Sequence, residues 1–215
     1  KEDVGLAWVG EHYSEIGVMG AELILRRYIQ PDIKSFGIVY DRWQSEQEFF
    51  DTKLIDKMWK FLKDKHLVYE KDGAEWLKTS EYGDSEDRVV MTQEGNFTYL
   101  MSDVAYLYDR FEKRKYDCVI AIVGADHHGY VPRWKAAAEM LGHKGKLEVI
   151  VTQLVRLIRD GKEVRMSKRK GDFVTLREII DEIGLSAARY FFISRDFNTH
   201  MDMDLSLAKE ESKKN

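Results

Sequence analysis

The spacing of apolar and polar residues divides the chain into a helical front, a strand-rich middle and an alternating α/β stretch behind it. From Ser45 the run Ser-Glu-Gln-Glu reads as a capping box, in which the Ser45 hydroxyl and the Glu48 carboxylate satisfy each other's orphan backbone donors. A helix is expected to start there. Phe50, Leu54, Met58 and Phe61 recur at helical spacing, with Lys53, Asp56, Lys57 and Lys60 largely on the opposite face. An earlier helix is expected over residues 16–29, with Pro31 just past its end.

Between residues 66 and 100 short β-prone runs are broken by Asp72-Gly73, Tyr82-Gly83 and Gly95-Asn96, the turn chemistry of hairpins. This predicts a β-rich insertion. A helix over about 102–113 leads to Cys118-Val-Ile-Ala-Ile-Val, whose continuous β-branched character predicts a strand buried on both faces. Gly124-Ala-Asp-His-His-Gly-Tyr ends that strand, Pro132 opens a helix with a Trp134, Ala138, Leu141 stripe, and Gly142 stops it. With Leu147-Glu-Val-Ile-Val beyond, these pieces make a βαβ unit. Asp160-Gly161 predicts a tight hairpin, Thr175-x-x-Glu178 a second capping box on a helix closing at Gly184, and Ser186 a cap on the next. No internal repeat or low-complexity tract is visible.

Composition narrows the class. A chain of 215 residues with 44% hydrophobic content supports a large core. The single cysteine, Cys118, rules out an internal disulfide and favours a reducing, cytoplasmic setting. It also leaves no thiolate set for a metal. No apolar run is long enough to span a membrane, and the first residues lack a signal-peptide pattern. The formal charge of −4, from 34 basic and 38 acidic residues, argues against a protein that wraps a polyanion, so any nucleic-acid contact must be local.

Two segments carry candidate chemistry. In parallel α/β sheets ligands bind beyond the carboxyl ends of strands, which is where residues 124–130 fall. Two glycines allow close approach there, Asp126 can accept from sugar hydroxyls, and His127 and His128 are polar contacts. The same residues also fit a plain strand-end turn with surface histidines. The second segment is Arg165-Met-Ser-Lys-Arg-Lys-Gly-Asp, in a stretch with seven basic and three acidic residues between Arg156 and Phe173. Ser167 and Lys168 could place a hydroxyl and a cation on a phosphate chain. A solvated basic loop has the same composition.

Together and in this order, the two segments resemble the layout of class I aminoacyl-tRNA synthetases. Met166-Ser-Lys-Arg-Lys-Gly-Asp-Phe-Val-Thr-Leu resembles the Lys-Met-Ser-Lys-Ser signature in its arginyl-tRNA synthetase form. Gly124-Ala-Asp-His-His-Gly-Tyr-Val-Pro-Arg133, Asp41-Arg-Trp-x-Ser-Glu46, Tyr69-Glu-Lys-Asp-Gly-Ala-x-Trp76, Ser194-Arg and Met203-Asp-Leu-Ser-Leu-Ala resemble the same family in register. The resemblance covers nearly the whole chain.

It implies an α/β fold: part of a Rossmann-like parallel sheet with an inserted α+β connecting subdomain. Residues 1–100 would be the insertion, 101–185 the second half of the nucleotide-binding domain, and 186–215 the start of a helical junction toward an anticodon-binding domain. The implied activity is ATP-dependent activation of arginine to an adenylate and its transfer to arginine tRNA. Thr98-Tyr99-x-x-x-Asp103 would form the amino-acid pocket. A guanidinium offers a planar fork of donors that a carboxylate such as Asp103 can accept, and residues four apart on a helix aim the same way. A plain capping role at the helix N-terminus fits Ser102 and Asp103 equally. Gly124, Asp126 and His127 would face the adenosine ribose, with Met166, Ser167 and Lys168 as the phosphate loop.

Arg165 stands where the class signature has its first lysine, so the phosphate role falls on Lys168 with Arg165 secondary. Mg²⁺ would come with ATP rather than in a protein cage. None of the six histidines lies in a His-x-Gly-His element. The chain is therefore expected to be an internal piece of a longer synthetase, inactive alone, its tRNA contacts mainly in other segments. The alternative from a different class is a noncatalytic RNA-binding or scaffold module derived from a synthetase.

Overall fold

A computed structural model describes residues 13–164 and 173–209. They belong to two compact units. One comprises the described parts of Lys1–Arg42, Val155–Asp196 and Met201–Asn215, the other Trp43–Leu154 with Phe197–His200. These divisions differ from boundaries at 100/101 and 185/186.

The first unit opens with α1 (Tyr13–Ile24), which continues through a π turn (Leu25–Ile29) into α2 (Gln30–Ser35). Pro31 lies inside this run instead of beyond it. A proline has no N–H and crowds the carbonyl four residues back. At this point the ladder has switched to the wider π spacing, with the Gln30 N–H donating to the Leu25 carbonyl.

In the second unit the helix expected from Ser45 is two helices, α3 (Gln47–Asp51) and α4 (Leu54–Asp64). Lys53 between them adopts φ 53°, a left-handed conformation that resets the helical phase. The reset explains why Phe49 is buried while Phe50 stays outside the stripe that buries Leu54, Ile55, Met58 and Leu62. The Ser45–Glu48 capping box does not form. The residue at the cap, Glu46, is already helical with no side-chain cap, and the Glu48 carboxylate accepts from Gln44 Nε2.

The expected β-rich stretch is an antiparallel sheet of β1 (Val68–Lys71), β2 (Ala74–Leu77) and β3 (Arg88–Met91). Asp72 and Gly73 take positive φ in the two-residue turn of the first hairpin. Then α5 (Tyr99–Tyr108) runs into a π turn (Asp109–Lys113).

Next come β4 (Val119–Gly124), α6 (Val131–Met140) and β5 (Leu147–Thr152), with β4 and β5 parallel and in register from Val119↔Leu147 to Gly124↔Thr152. The βαβ unit is thus present, but burial on both faces of β4 is not. Val119 and Ala121 pack into the core with Ala137 and Ala138 of α6. Ile120 and Ile122, on alternate positions, are 57% and 70% exposed.

The first unit resumes with β6 (Val155–Arg159) and β7 (Lys162–Glu163), the expected Asp160-Gly161 hairpin, followed by α7 (Leu176–Ile183) and α8 (Leu185–Ile193). Thr175 and Glu178 form the full capping box of α7. Ser186 does not cap α8; Gly184, at φ 82°, closes one helix and leads into the next. The stretch after residue 186 also contains a strand, β8 (Met201–Asp204), parallel to β6, before the short α9 (Leu205–Ala208). Its period-two Met-Asp-Met-Asp buries Met201 and Met203, while Asp202 pairs across the strands with Arg156.

The architecture is a mixed α/β fold with a parallel strand pair at its centre in the second unit. No helix among the described residues is long and apolar enough to cross a membrane.

Candidate functional site

Three elements of the second unit converge at the site. Because β4 bonds only to β5, its other edge is open among the described residues. A cavity of about 380 Å³ runs along that edge, walled by Asp103 and Tyr106 of α5, Arg110 of the π turn after it, Ile120 and Ile122 of β4, and Trp134 of α6.

Asp103 is the acidic residue of this wall. The helix begins at Tyr99, with Thr98 extended before it and its Oγ1 donating to the Val89 carbonyl. Asp103 therefore sits in the second turn, out of reach of a capping role, and the capping alternative falls. Its Oδ2 accepts a hydrogen bond from Trp134 Nε1 at 2.8 Å. Burial pushes the Asp103 carboxyl above the ordinary carboxylate range. The Trp134 hydrogen bond opposes this shift, nearby Glu46 adds to it, and Arg133 and His127 work against it. Tyr99, four residues earlier, is 82% exposed and does not line the cavity. The structure therefore does not bring the expected pair together around one pocket.

Beyond the end of β4, residues 125–130 form a 3₁₀ turn that passes directly into α6. Gly124 has an ordinary φ of −73°, so it is needed for space and not for backbone freedom. A Cβ there would lie 2.7 Å from Asp126 Oδ1. Asp126 and His127 are solvent-facing, with Asp126 Oδ2 3.7 Å from His127 Nε2. His127, Tyr130 and Trp134 form an aromatic group with centroid separations of 5.6 to 6.3 Å. Trp134 thus touches the loop with its ring and Asp103 with its N–H.

The apolar stripe of α6 accounts for the Trp134 ring but not for this second role. The available signal was the indole N–H, which needs an acceptor wherever the ring is partly buried. The stripe does not account for Arg133 either. Its guanidinium lies 4.4 Å from the Tyr130 ring centroid, and its Nε is buried without a hydrogen-bond partner. Its charge acts on Asp103 and on Asp84, a buried carboxylate held below its ordinary range by Arg88, with Nε to Oδ2 at 2.8 Å.

Arg165, Met166, Ser167 and Lys168 lie outside the described residues. Among the described residues no cluster of three His, Cys, Asp or Glu side chains could hold a metal ion.

Comparison with known proteins turns this geometry into a family assignment. Residues 24–204 match the family "tRNA synthetases class I (R), catalytic domain". The chain belongs to this family. It is 47% identical over 197 residues to the arginine–tRNA ligase of Aquifex aeolicus, covering 91% of this chain and 33% of that protein. With the arginine–tRNA ligase of Bacillus subtilis it shares 44% identity over 218 residues, or 100% of this chain and 39% of the relative. The chain thus spans a third to two fifths of the length of these curated relatives.

A solved arginyl-tRNA synthetase structure from Campylobacter jejuni superposes with a TM-score of 0.75 at 38% identity, covering 85% of this chain and 39% of the other. Arginyl-tRNA synthetase of Thermus thermophilus gives a TM-score of 0.67 at 16% identity, a likeness of fold, over 87% of this chain and 43% of that one.

Proposed function

We propose that the chain is the part of an arginyl-tRNA synthetase that supplies the arginine pocket and half of the nucleotide site. The whole protein joins arginine to its tRNA at the expense of ATP. The observation that carries this reading is the Asp103 carboxylate, half-buried in the cavity beside β4 and held by Trp134. A guanidinium is an obligate multi-donor cation, and an anchored carboxylate with free acceptor capacity is its complement. Tyr99 would reach arginine only if the pocket extends toward its exposed ring.

The 124–130 loop suits the adenosine of ATP. Gly124 leaves room for Asp126 to fold over the strand end, where its carboxylate can accept from ribose hydroxyls, with His127 beside it. Lys168, with Ser167, Met166 and secondarily Arg165, would hold the phosphates. Mg²⁺ bound with ATP would neutralise phosphate charge. The family and a reducing, cytoplasmic setting agree with the single cysteine. Residues 68–91, a separate antiparallel sheet, fit the role of the connecting insertion.

The test is ATP–pyrophosphate exchange by the full-length protein, offered each standard amino acid in turn with tRNA. Exchange is expected with arginine alone, and exchange with another amino acid but not arginine overturns the reading. Lys168→Ala should abolish it and Lys170→Ala should be mild. Equal losses would assign the phosphate role to a diffuse basic loop. The 215-residue chain alone is expected to show no exchange.

A further inference from the structure

The cavity holds a carboxylate whose environment works against its charge. Burial and the neighbouring Glu46 both favour the neutral acid. Its other lining is mainly apolar, from Leu107 through Val119–Val123 to Leu147, with Arg110 as the second charged wall. A neutral Asp103 would be a poor receptor for a guanidinium, so something must hold it as an anion and aim it. Trp134 makes the direct contact. An indole N–H only donates, so it favours the carboxylate and offers little to the acid form. The same ring lies 6.3 Å from the His127 ring, with planes 23° apart, and 6.0 Å from Tyr130.

We propose that Trp134 is a positioning residue of the arginine site: its N–H, 2.8 Å from Oδ2, aims Asp103 into the cavity, and its ring ties that carboxylate to the 124–130 loop. This inference rests on the arginine reading above. It assigns to one side chain of α6 both the orientation of the amino-acid pocket and its connection to the loop assigned to the nucleotide. Because the N–H occupies one site on Oδ2, Oδ1 and the second lone pair remain for the incoming guanidinium. The groups that face Asp103 and bear on its titration are Glu46, Arg133 and His127, and Arg110 shares the cavity.

The test replaces Trp134 in the full-length protein by its sulfur isostere, benzothienylalanine, which keeps the ring and removes only the donor. The KM for arginine should rise about tenfold, as for the loss of a hydrogen bond to a charged group, with kcat and the KM for ATP nearly unchanged. The acidic limb of kcat/KM for arginine should move to higher pH, a change that mere loosening of the fold would not produce. Trp134→Phe should act in the same direction and add nothing in an Asp103→Asn background.

An unmoved arginine KM and pH limb, equal rises in the KM of arginine and ATP, or full additivity with Asp103→Asn would each overturn the proposal. If Asp103→Asn impairs arginine use while the residue at 134 is silent, the arginine reading stands and this inference fails. If Asp103→Asn leaves arginine use intact, both fall together.

Discussion

The two candidate acceptors, Asp103 and Asp126, have opposite surroundings. Asp103 is half-buried, fixed by a tertiary hydrogen bond and pushed toward its neutral form by desolvation. Asp126 sits on a solvent-facing turn, 74% exposed, with His127 3.7 Å away. A charge interaction in the first setting is worth several times what it is worth in the second, because water screens the second. Under the proposed function, the contrast suits a site that reads a guanidinium through a desolvated charge in one half and holds a ribose through a solvent-facing acceptor in the other.

The comparison breaks most easily at Asp103. Asp103→Asn keeps the shape and an acceptor for Trp134 but removes the charge. It should lower kcat/KM for arginine by at least about a hundredfold, the usual consequence of leaving one member of a desolvated charge pair unmatched. The KM for ATP should change little. Folding should respond in the opposite sense. Since burial raises the carboxyl above its ordinary value in the folded protein, its charge opposes folding at neutral pH, and that opposition is relieved as pH falls through the raised value. Thermal melting of Asp103→Asn at neutral pH should therefore show no loss of Tm. A lowered Tm would mean that Asp103 is a structural carboxylate.

Lowering the pH probes the same contrast more gently. A guanidinium stays charged throughout, so arginine capture should follow the ionisation of Asp103, declining about tenfold per pH unit once below its raised pKa. That limb should begin above the range of an ordinary aspartate, and it should be absent from kcat/KM for ATP measured at saturating arginine. A shared limb would place the titrating group in the chemistry common to both substrates instead of the arginine pocket.

What could be read from the chain beforehand follows the same division between local and tertiary causes. The hairpin at Asp160-Gly161, the Thr175 capping box and the βαβ unit were legible because turn chemistry and capping act within a few residues. Burial of β4 was not, because periodicity reports apolar character and cannot say which side a neighbour covers; Ile120 and Ile122 look the same in sequence as Val119 and Ala121. The left-handed Lys53 that splits α3 from α4 carries no glycine or asparagine signal. At the site, Asp103 and the 124–130 loop were reached through motif order. The Trp134 to Asp103 bond spans 31 residues and depends on how α5 packs on α6, a relation that no local pattern encodes.

The smallest effect distinguishes two glycines in the exposed loop. At Gly124 an added Cβ would meet Asp126 Oδ1 at 2.7 Å, whereas at Gly129 it would meet nothing within 4 Å. Neither residue has a positive φ, so alanine is free of backbone strain at both. In Gly124→Ala the obstructing atom is the tip of a short, exposed side chain, which can swing into solvent; Tm should therefore stay close to that of the parent. The cost should appear in what Asp126 then no longer does. If its carboxylate is the ribose acceptor, the KM for ATP should rise severalfold, on the order of one exposed hydrogen bond, with the arginine KM unchanged. Gly129→Ala should behave as the parent in both. Equal responses from the two alanines would mean that the loop binds through its backbone alone, and a response confined to arginine would place Asp126 on the other side of the comparison.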